Sequence, residues 1–181
     1  MPKGHTTTSI GTLIALLLFI GCQNQTSKSD KTEQLQILHD QINWDGYNNL
    51  NVYGEIIYIP IYSSVYHQGG KKFDLTSTLS VHNVDLNNPI KIIRVNYYNT
   101  NGQLIRKYIK EPTIIHPFQT KQFVIPSVDT TGGTGANFVV QWVSEAHVTS
   151  PITEAIMVST TQNQGLSFST TGKVISTIRT P

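Results

Sequence analysis

Three tyrosines recur at every fourth position in one segment of the chain. Tyr58, Tyr62 and Tyr66 lie around Pro60, and His67 follows directly. Residues four apart on a continuous strand share a face, and tyrosine rings with polar tips suit stacking on sugars or capturing a peptide strand. The tyrosines and His67 are therefore a candidate binding patch. The alternative is that the rings pack under a neighbouring loop, with their hydroxyls bonded to the backbone.

A glycine-rich segment, TGGTGANF at residues 131–138, is a second candidate. Phosphate-binding loops continue with a Lys-Ser/Thr pair and open a helix, whereas this segment leads into a predicted strand. We therefore expect a tight irregular loop with positive φ at glycines and local side-chain bonds to the backbone. A calcium or small-anion site is the alternative. The residues concerned are Asp129, Gly132, Gly133, Gly135 and Asn137.

Residues for metal binding or catalysis are present but not grouped in any motif. Copper or zinc requires several converging nitrogen or sulfur ligands. There is no nucleophile elbow, no paired histidine and cysteine, and no suggestive pair of carboxylates; Glu145 and His147 suit a surface or turn role. We expect no catalytic residue, no metal and no cofactor, and hence not an enzyme. The histidines after Cys22 contain no close pair: His39, His67, His82, His116 and His147.

The single cysteine, Cys22, follows an apolar stretch at residues 10–20. That stretch has the length of a signal peptide and is short for a membrane span. Residues 19–22, FIGC, resemble the lipobox of bacterial lipoproteins, with Phe19 where leucine is usual. We expect residues 1–21 to be a lipoprotein signal peptide and Cys22 to carry acyl chains, each buried methylene contributing about 0.8 kcal/mol. A buried free cysteine or a simple secretory signal with an incidental thiol are the alternatives.

The segment from Cys22 to residue 50 is expected to be a tether. Residues 23–34 have no aliphatic or aromatic side chain and predict a disordered spacer. Thr32 is an available N-cap for a short amphipathic helix at about 33–42. This helix packs on the domain or, alternatively, binds a partner. Its apolar residues are Leu35, Leu38 and Ile42.

Residues 51–181 alternate short apolar runs with turn signals, which predicts strands. IKIIRVNYY (90–98) and QLIRKYI (103–109) flank Asn101 and Gly102, which can take positive φ, and form the clearest hairpin. Pro60 suggests an edge strand or a bulge. Two sets of alternating residues are expected to face a core: Leu75, Leu79 and Val81, and Phe138, Val140 and Trp142.

The predicted fold class is all-β, an antiparallel immunoglobulin-like sandwich of about nine strands, with a small closed barrel as the alternative. Charged residues make up only 13% of the 181 residues, as in many all-β proteins. The net charge is +2, without the basic stripe that nucleic acid requires, so we expect no nucleic-acid partner. One cysteine excludes a disulfide within the chain.

Four strings together resemble a known family. They are IYIPIYSSVYH (57–67), DTTGGTGANFVVQW (129–142), EAIMV (154–158) and QGLSFSTTGKVI (164–175). They are similar to domain-of-unknown-function family 3124, found in cyanobacteria and other bacteria, often behind an export signal. The resemblance runs over about residues 53–176. It implies no activity and no catalytic or ligand-binding residue.

These features together predict a lipid-anchored protein of the bacterial envelope. Gln23, rather than aspartate, after Cys22 favours the outer membrane, with the domain facing the periplasm. We expect a non-enzymatic module that binds or assembles with an envelope protein. The alternative is a carbohydrate- or metal-binding envelope lipoprotein.

Overall fold

A computed structural model describes residues 43–44, 46–48, 50–160 and 165–179. Cys22, the predicted tether up to residue 42 and the predicted helix at 33–42 lie outside these residues. The chain divides into two compact units, Met1–Asn43 and Trp44–Pro181. None of the described residues forms an α-helix. The described part of the chain therefore contains no helix that could span a membrane.

Twelve strands make up the described part of the second unit. They are β1 Tyr53–Pro60, β2 Ser64–His67, β3 Lys71–Asp74, β4 Thr76–His82, β5 Ile90–Tyr98, β6 Leu104–Lys107, β7 Thr113–Ile115, β8 Thr120–Ile125, β9 Asn137–Ser144, β10 Ile152–Ser159, β11 Leu166–Thr171 and β12 Lys173–Arg179. The all-β prediction is confirmed. About nine strands were predicted, and β2, β3 and β7 are the ones that were missed.

All strand pairs are antiparallel and they fall into three sheets. The largest has the order β12-β1-β9-β5-β6, with β7 also pairing β5. A four-stranded sheet has the order β11-β10-β4-β8, and β2 pairs with β3 alone. The first and last strands of the unit are neighbours, with Tyr53 opposite Arg179. Separate sheets are not the single closed barrel that the sequence left as an alternative.

The two larger sheets share one hydrophobic core. It contains Ile57 and Ile59 from β1, Leu79 and Val81 from β4, and Phe123 from β8, together with residues of β5, β9 and β10. Each such side chain contributes about 1.5–3 kcal/mol when it is fully buried. Both predicted core sets are confirmed, because Leu75, Leu79, Val81, Phe138, Val140 and Trp142 all lie in this cluster.

Strand β5 keeps one face in the core although its alternation changes phase partway along the strand. Ile90 and Ile92 face the core, and the register against β9 then shifts between Ile92 and Arg94. A bulge adds one residue to the strand and resets the alternation. Val95 and Tyr97 consequently face the same core, although they fall on the other parity.

Strand β9 lies between β1 and β5 and is buried on both faces. Val143, on the face opposite Trp142, packs with Val52 and Ile178 and, partly buried, Trp44 and Tyr47. The Trp44 indole also donates a 3.2 Å hydrogen bond to Ser176 Oγ. The compact unit therefore includes residues ahead of the predicted boundary at 51.

Two local predictions have mixed outcomes. The β5–β6 hairpin is confirmed, and Gly102 has φ of 75°, whereas Asn101 does not take positive φ. The edge position that Pro60 suggested is wrong, because β1 has neighbours on both sides. Pro60 lies beyond Tyr58, the last residue paired with β12, so its missing N–H removes no bond from that ladder. The register between β1 and β12 shifts between Ile56 and Ile57, but the residue left without a partner in that ladder, Ile175, belongs to β12.

Candidate functional site

The structure does not place the three tyrosines on one strand. β1 ends at Pro60, and the connection to β2 turns inward through Ile61 and Ser63, which are fully buried. The Ile61 amide donates to Ala136 O and the Ser63 carbonyl accepts from the Leu75 amide. The spacing of the tyrosines predicted that they share one face of a continuous strand, and this inward turn interrupts that strand.

The tyrosines consequently have three different surroundings. Tyr58 is 36% exposed on β1, and Tyr66 is 63% exposed on β2. Tyr62 is half-buried against the core, with its ring centroid 5.8 Å from that of Phe168. Packing under neighbouring residues therefore describes Tyr62, whereas Tyr66 presents its ring to solvent.

Tyr66 and His67 belong to the β2–β3 hairpin, the two-stranded sheet outside both larger sheets. Val65 and Phe73 on one face pack against the core. The His67 ring, on this same face, stands edge-on to Phe73 at 5.1 Å. On the other face, Tyr66 pairs with Lys72. The tip, at residues 68–70, takes positive φ throughout. The hairpin thus combines an anchored apolar face with an exposed face of one aromatic ring beside lysine.

The glycine-rich loop closes one end of the domain against Tyr97. A Cβ on Gly132 would collide with the Tyr97 hydroxyl, and Gly133 has φ of 75°. The Gly133 amide donates to Thr130 O and the Gly135 amide to Thr100 Oγ1. These amides are used inside the protein, in contrast to the free amides of a phosphate cradle. Asn137 is the first residue of β9 and pairs with Pro60 and Tyr98.

Asp129 holds the start of this loop. Its carboxylate accepts from the Thr131 amide and hydroxyl and forms a 2.8 Å ion pair with Arg106. Burial alone would raise the pKa of Asp129, but the Thr131 hydrogen bonds and Arg106 outweigh it and lower that pKa. Arg106 also donates to the Tyr108 hydroxyl, which donates to Val124 O. Both carboxylate oxygens are therefore engaged by groups of the protein.

A cluster that the sequence did not reveal lies across three strands of the four-stranded sheet. His82 Nδ1 and Thr120 Oγ1 are 2.8 Å apart, and His82 Nε2 is 3.5 Å from Glu154 Oε1. Thr120 and Glu154 lie 38 and 72 positions after His82 in the sequence, so only the strand order brings the three residues together. In the described part of the chain, no three His, Cys, Asp or Glu residues are grouped to hold a metal ion.

Comparison with known proteins places the chain in a family. No curated protein matches it. A solved structure titled "Crystal Structure of Thermotoga maritima 1070" aligns with a TM-score of 0.37 and 12% identity, over 66% of this chain and 92% of that one. A family described as "Protein of unknown function (DUF3124)" matches residues 54–175. These residues are more than half of the chain, and the protein belongs to the DUF3124 family.

Proposed function

We propose that this protein is a lipid-anchored, non-enzymatic binding module of the bacterial envelope, whose domain meets a partner protein through the β2–β3 hairpin. The observation that carries the partner proposal is the hairpin itself. It stands outside both larger sheets, yet Val65 and Phe73 fix it to the core. A fixed hairpin loses little conformational freedom on binding, which favours affinity.

The chemistry of the exposed face supports a protein partner. Tyr66 is 63% exposed, and tyrosine is enriched among residues that dominate protein interfaces. Lys72, the cross-strand partner of Tyr66, is exposed and adds positive charge, which favours an acidic partner surface. The remainder of the domain would act as an immunoglobulin-like scaffold of two sheets, a role such sandwiches serve by presenting loops and hairpins.

The proposed anchor rests on the sequence FIGC at residues 19–22 and on the spacer that follows. Acylation of Cys22 would hold the domain at the outer membrane, facing the periplasm, and a dozen flexible residues would give a reach of roughly 20 Å. Replacing Cys22 with serine tests this directly. We expect the variant to leave the membrane fraction and its mass to lack acyl chains; a variant that stays in the membrane fraction argues against the anchor.

The partner is tested by photocrosslinking in cells from two positions. A photoreactive residue at position 66 should crosslink to one envelope protein in a fixed ratio. The control is position 124, because Val124 is 49% exposed on a different sheet. Crosslinks from 124 alone, or equal patterns from both positions, would contradict binding through the hairpin.

Binding strength gives a second readout once the crosslinked partner is known. Tyr66→Ala should weaken the complex at least tenfold, about 1.4 kcal/mol, as expected for an interface anchor. The same substitution should change the free energy of unfolding by less than about 0.5 kcal/mol, because Tyr66 is a surface residue. An unchanged affinity would remove Tyr66 from the interface.

Carbohydrate binding is the second candidate function for the envelope protein. The exposed ring of Tyr66 supports it, since a flat ring with a polar tip also suits a sugar face. A glycan array separates the two candidates: saturable glycan binding that Tyr66→Ala abolishes favours a carbohydrate ligand over a protein partner.

A further inference from the structure

A small cavity lies beside the paired residues Glu55 on β1 and Trp142 on β9. Glu55 and Trp142 are direct cross-strand partners, and Trp142 is 2% exposed. Tyr53, His147 and Ser150 are also among the lining residues, and the cavity volume is about 40 Å³. Ser150 and His147 are exposed, so the cavity has a route to solvent.

Two polar atoms of these lining residues are buried without a hydrogen-bond partner. They are Glu55 Oε2, an acceptor, and Trp142 Nε1, a donor. The other carboxylate oxygen, Glu55 Oε1, accepts a 2.6 Å bond from Ser150 Oγ. A buried polar group without a partner costs about 1–3 kcal/mol, and more when it is charged. Two such groups on neighbouring residues of one cavity favour a ligand group that can bond to both.

The chemistry of the two atoms restricts that occupant. A metal ion or an ammonium group would pair with the Glu55 carboxylate and leave the Trp142 N–H without an acceptor. An anion would accept from Trp142 but would be repelled by Glu55. A hydroxyl group donates to one atom and accepts from the other, and so satisfies both.

The size of the cavity adds a second restriction. A single water needs roughly 10–15 Å³, and a cavity of roughly 150 Å³ holds a benzene ring. The volume of about 40 Å³ lies between these, so a hydroxymethyl group fits while a sugar ring stays outside. At the rim, the Tyr53 and His147 rings stand edge to face at 5.1 Å and offer aromatic surface to such a ring.

We propose that this cavity, the Glu55–Trp142 pocket, binds a hydroxyl group of a polyol or saccharide, with Glu55 Oε2 accepting from the hydroxyl and Trp142 Nε1 donating to it. The proposal is independent of the lipid anchor and of the β2–β3 hairpin, which involve other residues.

The test is a titration of the ¹⁵N-labelled full-length protein followed by the indole N–H signals of its two tryptophans. The probes are glycerol, N-acetylglucosamine and its soluble oligomers. The Trp142 signal should move saturably, and the Trp44 signal, already bonded to Ser176, should stay. A Trp44→Phe variant assigns the two signals. Binding of glycerol at the same strength as the saccharides identifies a free polyol as the ligand, whereas tighter binding of the saccharides identifies a sugar terminus.

Glu55→Gln should weaken binding about tenfold or more, because it replaces a charged acceptor by a neutral group of the same shape. Glu111→Gln is the matched control, since Glu111 is exposed and carries the same charge, and it should leave the titration unchanged. The proposal is overturned if the Trp142 signal does not respond to any probe, which would mean that water alone fills the cavity, or if Glu55→Gln binds as tightly as the unaltered protein.

Discussion

The carboxylate of Asp85 is built into the fold by backbone hydrogen bonds from two connections. Its carboxylate accepts from the amides of Asn87 and Asn88 in its own turn and of Thr149 in the β9–β10 connection. These bonds, that from Asn87 foremost, lower the pKa of Asp85 from 3.8 to about 2. One carboxylate thus fastens two connections that are 64 positions apart in sequence.

This lowered pKa predicts how stability depends on pH. The folded-state pKa lies below the unfolded value, so Asp85 contributes stability that is fully present above pH 3.8 and is lost as pH falls towards about 2. Asp85→Asn should lower the free energy of unfolding at pH 7 and flatten its fall between pH 4 and 2, measured by urea denaturation. Asp74→Asn, at an exposed position, is the control. Equal pH profiles for Asp85→Asn and the unaltered protein would show that the Asp85 charge plays no such role.

Gly132 carries a steric requirement of the glycine-rich loop. An added Cβ would collide with Tyr97 Oη and lie 2.8 Å from Ala136 Cβ. Gly132→Ala should therefore cost about 1–3 kcal/mol of unfolding free energy, as for other overpacked sites. In Gly165→Ala the added methyl would meet only Ser159 O at 3.9 Å, so that variant should be nearly neutral. Chemical denaturation of both proteins measures the difference, and equal stabilities would contradict close packing at Gly132.

At the residue scale, the sequence predicted some roles and not others. Alternation correctly assigned Phe138, Val140 and Trp142 to the core, because parity along a strand is a local property. The same parity is the sequence signal that could have placed Glu55 on the core side of β1, because Glu55 lies two residues before Ile57. The Thr120–His82–Glu154 cluster had no such signal, since it depends on strand order.

Among the secondary-structure elements, the strands differ in their number of neighbouring strands and in their burial. β9 has neighbours on both sides and is buried on both faces, whereas β2 and β3 pair only with each other. The sequence predicted β9 from its apolar run but missed β2 and β3. Their segment SVYHQGGKKF holds a glycine turn between short, partly charged runs, and a two-stranded ribbon depends on tertiary packing for its stability.

This contrast predicts the order in which backbone amides exchange with solvent. Amides of β9 should exchange only through global unfolding, while those of β2 and β3 should exchange through local opening and much earlier. Hydrogen–deuterium exchange followed by mass spectrometry measures both segments in one experiment. Protection of the hairpin equal to that of β9 would mean that the hairpin and the larger sheets open as one unit.

At the scale of the whole domain, strand order joins the two ends of the folded unit. β12, the last strand, pairs with β1, the first, and β1 pairs in turn with β9. Predicting this order from sequence was not feasible, because β1 and β12 are separated by more than a hundred residues and their alternation would fit several partners. The hairpin β5–β6 was predictable because a short turn specifies its pairing.

Removing β12 should therefore disrupt the domain as a whole. A chain ending at Gly172 would leave β1 unpaired along one side and would remove Ile178 from its packing with Val52 and Val143. We expect this protein to be unfolded or aggregated, as judged by circular dichroism and gel filtration. A chain ending at Arg179 keeps every residue of β12 and should fold normally. A folded protein lacking β12 would show that the last strand is dispensable.

The pairing of Tyr53 with Arg179 has a mechanical consequence. The free ends of these two antiparallel strands lie at the same edge of the sheet. A force that pulls the two ends apart therefore peels the strands from one another, and the hydrogen bonds between them carry the load one after another. Strands loaded in shear share the force among all their bonds at once. Tension applied between the start of β1 and the end of β12 would thus open the domain at low force, beginning with Tyr53 and Arg179.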